Sequence, residues 1–138
     1  MGTFSSFDIS ASGIYAQRVR MDAVANNIAN AETTRTAEGG PYRRQSVSFR
    51  AVYEDAVGNC VNPAGVCVDE VVSTGGTRIV HDPGHPDADA QGNVRMPDIN
   101  VVEEMVDMIS ATRAYEANVT ALNATKSMMN NAIDIGKA

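Results

Sequence analysis

The chain has 138 residues and a formal net charge of −6, which suits one ordinary domain and argues against a general nucleic-acid binder with a basic surface. No apolar run approaches the roughly 20 residues that cross a bilayer, and no cleavable signal peptide is predicted at the start of the sequence. Aromatic residues make up only 5% and Trp is absent. This composition favours closely packed helices over an enzyme core built from bulky side chains.

A first helix is predicted from residue 9 to about residue 32, with suitable packing residues on two faces. One face is apolar and suits a seam against another helix of the same chain. The other face is predicted to contact neighbouring molecules. The predicted seam residues are Ile14, Met21, Val24 and Ile28, and the predicted assembly residues are Tyr15, Val19 and Ala23.

Three asparagines crowd the end of this helix, in the stretch VANNIANAETT. Asn is a weak helix former because its side-chain amide competes for backbone groups. On a helical wheel, Asn26 and Asn30 lie nearly opposite Ile28, and Asn27 lies on the flank. We therefore predict that all three contact neighbouring molecules, where their amides set the register of packed helices as a buried Asn does in coiled coils.

Residues 36 to 97 are predicted to be extended, with too few bulky side chains for an independent core. A strand with a period of two is predicted around residues 46 to 53, where apolar and polar side chains alternate: Val47, Phe49, Ala51 and Tyr53 against Ser46, Ser48 and Arg50. Further short strands are predicted in GVCVDEVV, in TRIVH and after the turn in DAQGNVRMP. Cys60 and Cys67, the only cysteines, are equally compatible with a short disulfide loop and with two free thiols.

The stretch HDPGHPDAD is the part of the sequence that could hold a metal or a catalytic site. His81, Asp82, His85, Asp87 and Asp89 lie close together there, and such side chains can ligate metals. Their spacing matches no standard zinc or calcium loop, whereas Pro and Asp together are typical of turns. A rigid structured loop is the favoured prediction, and we assign no metal, cofactor or catalytic residue.

A second helix is predicted over residues 100 to 135, with Asn100 as its cap. At 1.5 Å per residue it would be roughly 54 Å long, far beyond a compact domain with a radius of gyration of about 14 Å. Its outer part therefore needs partners. The predicted seam residues are Met105, Met108, Tyr115, Val119, Leu122, Met129 and Ile133, in a heptad pattern weakened by Thr112 and Lys126. The predicted assembly residues are Arg113, Ala114, Glu116, Ala117, Ala121, Ala124 and Met128.

Together these elements predict a mainly α protein. The long N- and C-terminal helices pair as an antiparallel coiled-coil-like hairpin, with a β-rich or extended insertion between them. Residues 1–35 and 98–138 form the predicted helical assembly domain, and residues 36–97 form the insertion.

Several stretches resemble the rod and hook family of flagellar axial proteins. ANNIANAETT has a form common to rod and hook members, whereas GGPYRRQ, DPGHPDAD and RAYEAN, in this order, resemble proximal-rod members more specifically. The resemblance covers nearly the whole chain apart from about residues 54 to 78, so no family role extends to the cysteines. The matching stretches are residues 12–36, 39–45, 82–100 and 104–135.

The resemblance implies a non-enzymatic subunit of the proximal rod, the drive shaft and export channel that crosses the periplasm in the bacterial flagellum. It implies export through the flagellar type III apparatus without signal cleavage. The implied partners are copies of the chain itself, the rod proteins FlgB, FlgF and FlgG, and the adaptor FliE, with no nucleic acid and no direct membrane span. In such proteins the terminal helices pair into an inner helical domain, which agrees with the prediction from the residues.

Two other classes of protein stay open at this point. A small metal-dependent enzyme would use the loop from His81 to Asp89 and would bind metal stoichiometrically. A soluble helical adaptor would stay a small oligomer, whereas a rod subunit would polymerise or co-assemble as its concentration rises.

Overall fold

The computed structural model describes residues 3–37, 39–55 and 61–136. Two long helices flank a region of four strands, in the order that the sequence predicts. The first helix begins earlier than predicted, at Thr3, and ends at Ala29 rather than near residue 32. The elements are α1 (Thr3–Ala29), β1 (Gln45–Asp55), β2 (Val61–Ser73), β3 (Thr77–His81), β4 (Asn93–Pro97) and α2 (Val101–Gly136).

Asn30 ends α1. Its backbone N–H and its side-chain amide both donate to the carbonyl oxygen of Asn26, at 3.0 and 2.9 Å. Its side-chain oxygen accepts a hydrogen bond from the Thr33 hydroxyl at 3.2 Å. These bonds satisfy groups that a helix end otherwise leaves free. Asn30 therefore has a role inside the chain, besides the contact to neighbouring molecules that the sequence predicts.

Asn100 caps the start of α2, as the sequence predicts. Its side-chain oxygen accepts the backbone N–H of Val102 at 3.1 Å, and its carbonyl oxygen accepts the N–H of Glu104 at 3.1 Å. The cap satisfies a donor that the first helical turn leaves unpaired. α2 then runs for 36 residues, about 54 Å, whereas α1 has 27 residues and is about 40 Å long.

The two helices pack antiparallel. Asn27, near the end of α1, contacts Glu104 in the first turns of α2, with 2.9 Å between Nδ2 and Oε2. Gly13, earlier in α1, lies beside Asn118, so close that a Cβ added to Gly13 would be 3.0 Å from the Asn118 amide nitrogen. From one contact to the other, both helices advance by the same number of residues in opposite directions. They therefore keep a single register over this length.

The buried face of α2 is displaced from the predicted seam. The least exposed side chains are Glu104, Ala111 and Thr125, in a repeat of seven residues. The prediction favoured apolar Met105, which is 53% exposed, and was wrong there. Close approach of two helices selects small residues, and Glu104 is tolerated because it is hydrogen-bonded. A pattern of large apolar residues therefore identifies neither the small residues nor Glu104 as buried.

The other predicted seam residues are less exposed, with one exception. Ile133 is 53% exposed, because the register of the helices places the start of α1 near residue 128 and leaves the last turns of α2 beyond it. Val24 is buried. The half-buried members are Ile14, Met21, Ile28, Met108, Tyr115, Val119, Leu122 and Met129.

The strands form two antiparallel ribbons, β1 with β2 and β3 with β4. β1 begins beside Asn27, and Gly65 of β2 lies against Ser12, about four turns earlier in α1. The β1–β2 ribbon therefore lies along α1, and the backbone N–H of Val66 donates to the Ser12 hydroxyl at 3.1 Å. Gly65 has a φ of 124°, and this conformation together with the close approach leaves no room for a side chain.

The buried apolar side chains among the described residues are few and mostly small. Small side chains let the helix backbones approach closely, but they bury little apolar area. Larger apolar side chains remain at the surface of α2. The buried set is Ala16, Ala23, Val24, Ala31, Val94, Ile99 and Ala111.

Candidate assembly surface

One face of α2 is apolar and open to solvent. Val102, Met105, Val106 and Ile109 recur with the i, i+3, i+4 and i+7 spacing of a single helix face. Their exposed fractions are 68, 53, 58 and 56%. We call these four residues the outer stripe. A contiguous apolar patch of this kind marks an interaction surface.

An open cavity of about 370 Å³ adjoins the outer stripe. Apolar side chains and charged groups both line it. A partner's side chain can insert into such a concave region, with the charged groups at the rim of the contact. The lining residues are Arg44, Val102, Glu103, Val106 and Asp107.

Most of the predicted assembly residues of α2 are open to solvent as well. Alanines on a helix surface let another helix come close, since the distance between helices depends on the side chains at the contact. The exposed members are Arg113, Glu116, Ala117, Ala121, Ala124 and Met128, and Ala114 is half-buried. Their contact with another molecule stays a prediction.

The predicted assembly face of α1 is only partly available. Tyr15 and Asn26 are exposed, and Val19 is half-buried. Ala23 and Asn27 are buried inside the chain, which contradicts their prediction as contacts to neighbouring molecules. The reason is that α2 and the β1–β2 ribbon cover two sides of α1, so that only its third side, with Tyr15, is open.

Asn27 is fully buried, and its amide is fully hydrogen-bonded. Nδ2 donates to the carbonyl oxygen of Gln45 at 2.8 Å and to Oε2 of Glu104 at 2.9 Å. Oδ1 accepts the backbone N–H of Gln45 at 2.8 Å and the Tyr42 hydroxyl at 3.1 Å. Burial, and then the charge of Glu104, raise the pKa of Tyr42, which keeps this donor protonated. A buried amide costs free energy unless it is hydrogen-bonded, and these four bonds remove that cost.

Glu104 is a buried carboxylate whose charge is compensated. Nε of Arg44 donates to its Oε1 at 2.6 Å, and Arg44 also lies 3.7 Å from Asp107. Asp107 in turn lies 3.5 Å from Arg20 of α1. Two arginines thus alternate with two carboxylates. The buried charge of Glu104 is paired and hydrogen-bonded, as a buried charge must be if it is not to destabilise the fold. We call the following residues the polar cluster: Asn27, Tyr42, Arg44, Gln45 and Glu104.

The loop of residues 81–89 is ordered by its own side chains, as the sequence predicts. Oδ1 of Asp82 accepts the backbone N–H of Gly84 at 3.1 Å. Nδ1 of His85 accepts the backbone N–H of Asp87 at 3.1 Å. Side chains that bind the backbone two residues ahead are typical of Asx-type turns. The potential metal ligands of this loop are therefore engaged in building its turns.

Asp89 closes the turn that precedes β4. Its Oδ1 accepts the backbone N–H groups of Gln91 and Asn93, both at 2.9 Å. These bonds, above all the one from Asn93, lower the pKa of Asp89 below its ordinary value. Asp87 accepts the Thr34 hydroxyl at 2.7 Å and so ties the loop to the segment that follows α1.

Two features that would indicate other functions are absent from the part of the chain that the structure describes. There, no group of three or more His, Cys, Asp or Glu residues is placed to hold a metal ion. Neither described helix combines the length and the apolar character that a membrane crossing needs. The disulfide alternative involves Cys60, which lies outside the described residues.

Sequence reasoning missed three of the four residues in the outer stripe. It assigned Met105 to the seam and passed over Val102, Val106 and Ile109. Their spacing by three and four residues was visible and marks a second apolar face. The signal is hidden because the first turns of α2, VVEEMVDMI, carry apolar side chains on several faces. Periodicity alone does not tell the seam from the surface there.

Two family models match the two helical parts of the chain. Residues 7–35 match the model described as "Flagella basal body rod protein". Residues 90–135 match the model described as "Flagellar basal body rod FlgEFG protein C-terminal". The two ranges contain the outer stripe and both partners of the Asn27–Glu104 contact.

Relatives match over almost the full chain. The flagellar basal-body rod protein FlgC of Bacillus subtilis is 44% identical over 152 aligned positions, covering 99% of this chain and 100% of the relative. FlgC of Borreliella burgdorferi is 42% identical over 153 positions and 98% of both chains. FlgC of Salmonella typhimurium is 40% identical over 138 positions, covering 99% of this chain and 100% of the relative. The chain belongs to the FlgC family of flagellar basal-body rod proteins.

Membership of the FlgC family confirms the resemblance read from the sequence motifs. It makes the chain a structural subunit of the flagellar basal-body rod and not an enzyme. The two alternatives left open by the sequence, a metal-dependent enzyme and a small soluble adaptor, therefore do not apply to a member of the FlgC family.

Proposed function

We propose that this chain is fixed in the rod through the outer stripe of α2, which becomes buried against neighbouring rod subunits. The observation that carries the proposal is the row of large, exposed apolar side chains on one face of the helix. A soluble protein that stays monomeric rarely leaves such a row uncovered. In a rod, the same row becomes part of a packed contact.

The apolar area of the outer stripe is substantial compared with the core of the chain itself. Fully burying a Val, Ile or Met side chain contributes about 1.5–3 kcal/mol. Covering the exposed half of four such side chains therefore contributes on the order of 4 kcal/mol. Because the buried apolar residues that the structure describes are mostly alanines, assembly adds packing of larger apolar side chains.

The finer position in the flagellum is proposed from the family resemblance. The chain lies in the proximal rod in the periplasm, as part of the drive shaft and of the export channel within it. Its neighbours are further copies of itself, FlgB, FlgF, FlgG and FliE, and it leaves the cytoplasm through the flagellar type III export apparatus without signal cleavage. Residues 1–35 and 98–138 form the inner assembly domain, with helices paired as a coiled coil, and residues 36–97 form the insertion.

A second contact in this proposal lies farther along α2. Different surfaces that meet on neighbouring subunits are heterologous contacts, and such contacts build an open helical array rather than a closed pair. An open array of stiff helices is what the transmission of torque along a shaft requires. The residues proposed for this second contact are Arg113, Ala114, Glu116, Ala117, Ala121, Ala124 and Met128, with Tyr15, Val19, Asn26 and Asn30 of α1.

The test is to place a charge in the outer stripe. Val106→Glu and Ile109→Glu are introduced into the chromosomal copy of the source bacterium. Both side chains are exposed in the single chain, so the purified variants should keep their helical content. At a contact, the new carboxylate would be buried unpaired, and this should block rod assembly and motility. Gln91→Glu, at an exposed position before β4, is the matched control and should leave motility unchanged.

Electron microscopy of isolated basal bodies gives the readout. Rods that are missing in both stripe variants but present in the control support the proposal, provided that the variant chains are still exported. Normal basal bodies with full motility in either stripe variant would refute it.

A further inference from the structure

The seam between α1 and α2 contains little that would by itself hold one register. On α1, Gly13, Ala16 and Ala23 share the face that meets α2. On α2, the least exposed positions recur every seven residues and include Ala111 and Thr125. Small residues at such a repeat offer similar packing when one helix slides along the other by a heptad, about 10.5 Å.

A slipped register would also contain an attractive ion pair. Sliding by one heptad brings Glu104 opposite Arg20 and Ala111 opposite Gly13. Arg20 already reaches across to α2, where it lies 3.5 Å from Asp107. Charge and small-residue packing therefore do not exclude this slipped register.

The polar cluster does exclude it. After such a slip, Asn27 would lie beyond the start of α2 and would lose its bond to Glu104. Glu104 would move away from Arg44, which now donates to it at 2.6 Å. A buried polar group that loses its partner is costly. This cost favours the observed register over the slipped one, because only the observed register lets Asn27 bind Gln45 and Glu104 together.

We propose that Asn27 and Glu104 form a register lock, a buried polar pair that selects one alignment of α1 on α2. Through Gln45, the same lock fixes where the β1–β2 ribbon begins along the helix pair. A single buried Asn sets the register of coiled coils in the same way, at some cost in stability. The lock does not depend on the outer stripe, so either assignment can fail without the other.

Disulfide trapping measures the register directly. In a chain with Cys60→Ser and Cys67→Ser, the pair Gly13→Cys and Asn118→Cys reports the observed register. The pair Gly13→Cys and Ala111→Cys reports the slip of one heptad. A disulfide needs Cα atoms within about 7 Å, so a shift of about 10.5 Å separates the two registers. The purified full chains are oxidised with diamide, and the monomer fraction is analysed by peptide mass spectrometry.

The lock is removed by Asn27→Leu together with Glu104→Leu, because apolar side chains of similar size can replace a buried polar pair without loss of packing. The matched control is Asn26→Leu together with Glu103→Leu, which changes the exposed neighbours of the lock. The parent chain and the control should form the in-register link alone. The lock variant should form the slipped link as well, with a corresponding loss of the in-register link.

A folded lock variant that forms only the in-register link overturns the proposal, because the small residues then suffice to set the register. A parent chain that does not form the in-register link overturns it too. Should the double variant fail to fold, as judged by circular dichroism, Asn27→Leu alone takes its place, with the same two outcomes.

Discussion

The side-chain amide of Asn27 in α1 donates a hydrogen bond of 2.9 Å to the carboxylate of Glu104 in α2. The two residues are 77 positions apart in the sequence, and both are almost completely buried. Arg44 completes the contact from the other side of the carboxylate. A seam made of alanines would tolerate small displacements, whereas hydrogen bonds of fixed direction do not. Single changes at this contact should therefore have measurable effects.

Glu104→Gln should destabilise the chain. Both carboxylate oxygens accept hydrogen bonds, one from Asn27 and the other from Arg44. A glutamine amide has one oxygen and one NH₂ group, so in either orientation a donor would face a donor. Hydrogen bonds to charged groups contribute about 1.5–3 kcal/mol. We expect urea unfolding, followed by circular dichroism, to show a loss of about this size in the free energy of unfolding.

Glu103→Gln is the matched control for this substitution. Glu103 precedes Glu104 in the same helical turn but is exposed. Its replacement should change the free energy of unfolding by less than about 0.5 kcal/mol. Equal losses in the two variants would mean that the bonds of Glu104 do not stabilise the fold.

Gly65→Ala should loosen the β1–β2 ribbon from α1. A Cβ at this position would overlap the Ser12 hydroxyl, and φ is 124°. Such a backbone conformation costs a residue with a side chain on the order of 1–3 kcal/mol. Displacement of the ribbon would also break the bond from the Val66 N–H to Ser12. We expect faster hydrogen exchange at the Val66 amide and a lower free energy of unfolding.

Gly40→Ala separates the backbone strain from the lost contact. Gly40 also has a positive φ, 90°, but nothing lies within 4 Å of an added Cβ. This variant should lower the free energy of unfolding through the backbone strain alone, and it should leave hydrogen exchange at the Val66 amide unchanged. If the Val66 amide exchanges equally fast in both variants, the contact with Ser12 does not hold the ribbon.

Local patterns in the sequence predicted much of the fold. The alternation of residues 47 to 53 predicted β1, and the turn chemistry of residues 81–89 predicted an ordered loop. Asn100 predicted the start of α2. Each of these features depends on residues that are close together in the sequence, so that a period or a spacing carries the information.

The seam and the outer stripe depend on residues that are distant in the sequence. Glu104 is buried because Asn27 and Arg44 approach it, and its own neighbours in the sequence do not indicate this. Ile133 is exposed because α1 begins at Thr3, near residue 128 of α2, and so does not extend alongside it. The periodicity within α2 gives no information about where α1 begins. The apolar pattern therefore predicted that α2 has a buried face, but not which residues form it.

Asp89 should make the turn before β4 sensitive to acid. Hydrogen bonds from the backbone N–H groups of Asn93 and Gln91 lower its pKa. A carboxyl group with a lowered pKa in the folded state stabilises the fold above its unfolded-state pKa of about 3.9. This contribution is lost as the pH falls through the folded-state pKa. We therefore expect the turn to loosen only in acid, below about pH 4.

An NMR titration of the Asp89 carboxyl carbon measures this pKa. The amide shifts of Gln91 and Asn93 should titrate together with it. Asp89→Asn keeps an accepting oxygen but removes the charge, so the two amide shifts should then be constant across the same pH range. A pKa for Asp89 at or above the ordinary value of Asp would contradict the prediction.

Ala117→Glu and Ala121→Glu test whether the exposed alanines of α2 meet a neighbouring subunit. Both positions are exposed, so the purified variants should keep the helical content of the parent chain. Between two closely packed helices, by contrast, a Glu side chain would be buried without a partner and would prevent the contact. Gln91→Glu, at an exposed position before β4 and outside both proposed contacts, is the control. We expect both alanine variants to be exported but to leave cells without rods and non-motile, and the control to swim. If the alanine variants assemble normal basal bodies, this face is solvated in the rod, and α2 is held by its outer stripe alone.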